Sequence, residues 1–337
     1  MPQTGLTLDA VSVLLVWTAV PVYALAFVAY AVDLARRSDL AVKAKDAVVV
    51  RQLVGAGGPP VDEAAPAPSV LQAQPARPRY VWARIGTSLT VLGFLFHVGA
   101  DITRGIAAGR VPWSNMYEFA LTGTMLIVAV YLVVLLRYDL RFLGSFMTGL
   151  VVVLLGGTLV GNLYVVVTPL ADPLKSVWLV IHVFVASLAT ALFALAFSLS
   201  VLQLLQARRQ RLMLAAAGDP SAKTGPRFLR TIPDADALES LAYRFAIVGF
   251  MFWTFTLIAG AIWANDAWGR YWGFDTKEVW TFVVWVLFAG YIHARATRGW
   301  RGNRSAWLAI IGFSAVMFNF TVVNMFFKGL HVYSGLS

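Results

Sequence analysis

Apolar residues fall in long runs broken by short polar turns. Eight runs stand out, near 10–32, 85–104, 117–136, 142–161, 179–204, 244–264, 278–297 and 305–327. About 20 apolar residues suffice for a helix to cross a bilayer. A helix also satisfies its own backbone in lipid, so no other element is needed. The pattern therefore predicts an all-α polytopic membrane protein with about eight transmembrane helices. The first run is long enough to stay as a helix, and no cleavable signal peptide is evident. Residues 55–78, GAGGPPVDEAAPAPSVLQAQPARP, are rich in Pro, Ala and Gly and read as a flexible linker. The chain divides accordingly. Residues 1–84 form an N-terminal span with its linker, and 85–337 form a core of about seven spans. Residues 212–236 read as a second, shorter linker.

The polar turns set the orientation. Most of the 27 Lys and Arg lie between spans one and two, three and four, five and six, and seven and eight. The exceptions are Arg104, Arg110, Lys175, Arg270, Lys277 and Lys328. By the excess of basic residues in cytoplasmic loops, both termini and residues 263–285 lie outside the cytoplasm. The formal net charge of +10 is thus mostly a topology signal, and nucleic-acid binding is not expected. With no Cys the chain has no disulfide, no thiolate metal site and no thiol nucleophile. It also carries no CxxCH haem-attachment site of its own.

One segment is too polar for the bilayer centre and too aromatic for an ordinary loop. Residues 263–293 read WANDAWGRYWGFDTKEVWTFVVWVLFAGYIH, with Trp263, Trp268, Trp272, Trp280 and Trp285, and with Trp253 just before. Tyr271 and Phe274 fall between them, and Asp275, Lys277 and Glu278 are interleaved. An interfacial aromatic belt accounts for this composition. So does a surface that stacks against a large flat ligand. The histidines tip the balance. His182 begins the fifth span and His331 follows the eighth, both at the face of the Trp-rich segment. Two imidazoles beside flat aromatic surface make an axial pair for haem iron. Arg270, Lys277 or Lys328 could pair with the propionates. A second polar-aromatic turn, Gly109–Phe119 (GRVPWSNMYEF), is expected to wall the same site, with Trp113 against the ligand.

His293 lies deeper, 15 residues beyond Glu278 and so about 22 Å down the seventh helix. An ionisable group in lipid is a functional candidate. His97, in the second span, differs from it in depth by roughly 13 Å. Two axial nitrogens on one iron stand only about 4 Å apart, so the two are not a pair. His293 then needs a ligand partner from a second subunit, and His97 reads as a helix-packing hydrogen bond.

The run WGRYWGFDTKEVWTFVVWVLFAGYIH resembles the tryptophan-rich WWD signature of haem-handling proteins. GRVPWSNMYEF and GLHVYSG are similar to the CcsA/ResC branch, often annotated CcsB, of system II cytochrome c biogenesis. The likeness covers most of the chain from residue 80 onward. One position departs from it: Phe274 stands where the family usually has Trp before the Asp, which keeps the stacking face and loses the indole donor. The resemblance implies that His182 and His331 ligate haem b beside the WWD surface. Trp263, Trp268, Trp272, Phe274, Asp275, Trp280 and Trp113 would line that site. It further implies that His293 serves an inner haem site completed by a ResB-type partner subunit.

The expected function is then a subunit of a cytochrome c synthase in the bacterial cytoplasmic or thylakoid membrane. It would translocate haem and present it for thioether attachment to an apocytochrome c CxxCH segment. The alternatives are a haem exporter or chaperone without ligase activity, and a transporter whose aromatics are only a belt. Catalytic side chains beyond haem positioning are not assigned.

Overall fold

A computed structural model describes residues 7–55, 80–216, 225–297, 299–327 and 329–330. The described residues form helices and turns with no strand. Helix α1 is Leu8–Gly55, α2 Val81–Ala108, α3 Met116–Leu135 and α4 Gly144–Val160. Helix α5 is Val177–Ala215, α6 Ala235–Trp268, α7 Thr276–Thr297, α8 Asn303–Phe320 and α9 Val322–Phe326. Eight segments, α1 to α7 and the α8–α9 pair, are long and apolar enough to cross a membrane. The predicted spans each fall on one of them, because an apolar run of this length has no alternative to helix in lipid.

Two stretches differ from expectation. Helix α1 continues past its apolar span to Gly55. Residues 225–234, read as part of a linker, hold a 3₁₀ turn at Arg227–Arg230 whose Leu229 is buried, as is Ile232 nearby. Burial of these two side chains fastens the connection, which a Pro- and Gly-containing sequence did not announce. Of the first linker, residues 56–79 lie outside the described residues.

Helices α5 and α6 pack along much of their length, and α1 packs on α2 and α4. The main core runs through α1 to α8 and includes the place where α5, α6, α7 and α8 meet. There Phe193 stacks on Phe288 at 3.6 Å between centroids, with Trp253 and Phe313 also buried in this core. A separate, smaller cluster sits where α5 begins and α6 ends. Leu174, Leu179, Val183 and Trp263 are buried there, with Trp113, Trp178 and Trp268 packed around them. This second cluster is the floor of the candidate site.

The bundle end that carries residues 263–285 is braced by charge. Arg104, fully buried, donates to Asp9, to Glu118 and to the carbonyl of Val165. Arg110 donates to the other Glu118 oxygen at 2.7 Å. Helices α1, α2 and α3 and the 162–171 loop are thereby tied together. Tyr164, in that loop, donates to Asp9. Burial and this carboxylate raise its phenol above the ordinary value.

Candidate functional site

Helix α5 starts at Ser176, whose hydroxyl accepts from the Trp178 amide and donates to Asp266 at the end of α6. This N-cap sets the rotation of the first turns, and His182 falls against α6. Its Nδ1 lies 2.9 Å from the Thr256 carbonyl oxygen. A carbonyl only accepts, so Nδ1 carries a proton, and in the neutral ring the lone pair is then on Nε2. That is the tautomer a metal-ligating imidazole needs, with the backbone fixing its orientation. Gly260 makes the approach possible. A Cβ there would lie 2.7 Å from His182 Cε1. The imidazole stacks on Trp263 at 6.0 Å and 22°.

Trp263 is buried and donates Nε1 to the Pro173 carbonyl at 2.8 Å. Trp268 meets it edge-on at 4.9 Å. Helix α6 ends at Trp268, with Gly269 in the left-handed conformation. The turn that follows is shaped by Glu278. Its Oε2 accepts from the amides of Gly273 at 2.8 Å and Asp275 at 3.1 Å. Asp275 in turn accepts from the Lys277 amide at 3.3 Å. This cap is like a capping box, except that the Asp275 side chain takes the second helical amide, Lys277, rather than the third. Phe274 is bracketed between the two bonded amides and sits at φ 56°, a conformation a side chain disfavours, with its ring 80% exposed. The other oxygen of Asp275 accepts from the Leu330 amide at 2.9 Å. Gly329 permits this, since a Cβ there would approach that oxygen to 2.2 Å.

The aromatic rings do not form one flat surface. Trp263 belongs to the small cluster and Trp268 packs against it, while Trp272 and Phe274 are exposed and edge-on to one another at 85°. Trp280 packs against Phe318 of α8 at 4.3 Å. The space lies beneath them. A cavity of about 160 Å³ runs between α3, α5, α6, α7 and α8, and is lined by Trp113, His182, Trp253, Trp263 and Lys277 among others. A second, of about 70 Å³, lies toward Trp272 and Glu278. His182, Thr256, Trp263, Lys277 and Thr281 line both.

The structure thus brings His182, Trp263 and Trp268 together, places Trp113 on the wall of the larger cavity and Trp272 on the smaller. Phe274, Asp275 and Trp280 line neither. His331 lies outside the described residues, one residue past the amide that Asp275 holds. His293 is exposed at the far end of α7, on the face that also exposes Phe282, Val286 and Gly290. His97 is fully buried with both nitrogens engaged, Nε2 with the Leu121 carbonyl at 2.9 Å and Nδ1 with the Tyr23 hydroxyl at 3.3 Å. That is the packing role read from its depth. Thr256 and Gly260 were not foreseen; a backbone acceptor and a missing Cβ leave little trace in a sequence.

A sequence profile of the cytochrome c assembly protein family matches residues 113–331. The chain is 34% identical to the cytochrome c biogenesis protein CcsA of Guillardia theta, over 75% of this chain and 86% of that one. It is 33% identical to the CcsA of Synechococcus elongatus, over 74% and 87%. Among solved structures it resembles the cytochrome c heme lyase CcmF, with a TM-score of 0.60 and 14% identity. That likeness, of fold alone, covers 95% of this chain and about half, 48%, of the other.

Proposed function

Since the chain belongs to the cytochrome c assembly protein family and, within it, to the CcsA proteins, and is an integral membrane protein of cytochrome c biogenesis, we propose that it is the haem-presenting subunit of a cytochrome c synthase. Haem b is its substrate. His182 and His331 hold the iron beside the Trp-rich segment, on the extracytoplasmic face that the basic residues imply. An apocytochrome CxxCH segment docks there. Each cysteine S–H adds across a haem vinyl, sulfur bonding to one vinyl carbon and hydrogen to the other. The CxxCH histidine then displaces one axial imidazole and the product leaves. The chain contributes position and exclusion of water rather than a nucleophile.

The observation that carries this reading is His182. Its Nδ1 proton is committed to the Thr256 carbonyl, which leaves Nε2 as the nitrogen for a metal in the neutral ring, and its ring lines both cavities. The bond from Asp275 to the Leu330 amide supports a role for the residue after it. His293 belongs to an entry site at the other end. Its exposure on an apolar face of α7 fits a partner subunit, of the ResB type, that supplies the second ligand.

The test is purification of the full chain with and without His182→Ala plus His331→Ala. The expected result is loss of the Soret band and of haem content in the double variant. An unchanged spectrum would sink the outer site. Co-expression with a ResB-type subunit and an apocytochrome then separates a synthase, which yields covalently bound haem, from an exporter, which does not.

A further inference from the structure

Lys277 stands in the wall the two cavities share, and its cation makes no ion pair among the described residues, the Asp275 carboxylate acting on it only from beyond that distance. Its Nζ donates to Asn324 Oδ1, a neutral oxygen. Among the described residues no carboxylate lies within ion-pair distance of it. Most other buried or half-buried cations of the bundle are paired: Arg37 with Asp33, Arg104 and Arg110 with Glu118, Arg270 with Glu278, and Arg295 with Glu239; Arg209, at the far end of α5 and lining neither cavity, is the exception among the described residues. A cation in low-polarity surroundings is costly unless an anion joins it. Two further buried polar atoms on residues lining the larger cavity have no partner among the described residues, Trp113 Nε1 and Asn319 Oδ1. Gln203 and Gln206 also keep a partnerless amide oxygen, but line neither cavity. At this end Arg110 Nε and the Tyr117 hydroxyl are also partnerless and line neither cavity, so part of the spare hydrogen-bonding capacity, that of Trp113, Asn319 and Lys277, borders the space.

We propose that Lys277 binds a propionate carboxylate of the haem whose iron His182 holds, so that one wall carries both the ligand for the metal and the partner for the acid. This rests on the haem reading above. It also separates the three candidate cations of the sequence. Arg270 is engaged by Glu278, its guanidinium lying where a Cβ on Gly273 would stand. Lys328 lies outside the described residues.

The experiment titrates the purified full chain with haem and with haem dimethyl ester, which keeps the iron and lacks the carboxylates. Wild type should bind haem roughly ten- to a hundred-fold more tightly than the ester, as one charge-assisted bond implies. Lys277→Met should lose that preference with its ester affinity intact, and Lys277→Arg should keep most of it. A preference that survives in Lys277→Met, or an equal loss for both porphyrins, overturns the assignment. Equal binding of both porphyrins by wild type overturns Lys277 alone. A wild type that binds neither overturns the haem reading itself, and the assignment with it.

Discussion

Glu239 and Lys277 are both charged groups on the inward side of the bundle, at opposite ends, and they are built differently. Glu239 is 3% exposed and its two oxygens accept three bonds. These come from Arg295 at 3.1 Å, from Gln203 at 3.3 Å and from the Gly302 amide at 2.7 Å. Arg295 also lies over the Tyr243 ring at 3.9 Å. Helices α5, α6, α7 and α8 are locked there by a closed set of charges. Lys277 has one neutral partner and borders two cavities. A satisfied buried charge reads as structure. A half-buried charge with spare capacity beside a space reads as half of a site.

The largest effect should come from breaking the closed end. Glu239→Ala leaves the Arg295 guanidinium, only 15% exposed, without its carboxylate. A loss of about 3 kcal/mol is expected, at the lower end for a broken buried pair because Arg295 retains a path to water. Lys277→Met should cost little, leaving stability nearly unchanged, since it removes a half-buried cation that makes no ion pair. Denaturation of the two variants in the same detergent makes the comparison. Equal destabilisation by both would erase the distinction drawn between the ends.

The second effect acts on His182 without touching its chemistry. Gly260→Ala places a Cβ 2.7 Å from the imidazole and 2.8 Å from Nδ1. The ring must rotate away, and its bond to the Thr256 carbonyl goes with it. Loss of a supporting contact to a metal ligand typically costs roughly ten- to a hundred-fold in affinity. Haem affinity should fall by that amount while the unfolding midpoint stays near wild type. Retained affinity in Gly260→Ala would mean that the Thr256 bond does not orient the ligand.

This position also marks how far a sequence can be read. The eight spans were legible because lipid allows a long apolar run one conformation. The depths of His182, His293 and His97 followed from counting along helices. What was not legible depends on which backbone meets which side chain across helices. The Thr256 carbonyl is an acceptor every residue owns, and only the packing of α5 on α6 selects it. The pairing of Arg270 with Glu278, and not of Lys277, is likewise a matter of tertiary register. The expected flat plate of Trp gave way to rings at several angles. Each indole answers to its own neighbour: Trp263 to Pro173, Trp280 to Phe318, Trp285 to Thr254.

The smallest effect is expected at Glu278, and it tests whether the turn above the cavities is held or merely exposed. The bonds from Gly273 and Asp275 to one carboxylate oxygen flank Phe274, whose left-handed backbone otherwise costs about 1–2 kcal/mol. Glu278→Ala removes both acceptors and the partner of Arg270. By the usual worth of a helix N-terminal cap it should cost about 1 kcal/mol overall. The loss should be local: the amides of residues 273 and 275 should exchange faster while α6 and α7 stay protected. Glu278→Gln, which keeps an acceptor in place, should retain most of that protection. Faster exchange should also reach Leu330, whose amide is tied to Asp275. Should Leu330 stay protected while 273 and 275 open, the Asp275 bond holds the chain before His331 independently of the cap, and the turn would be two devices rather than one.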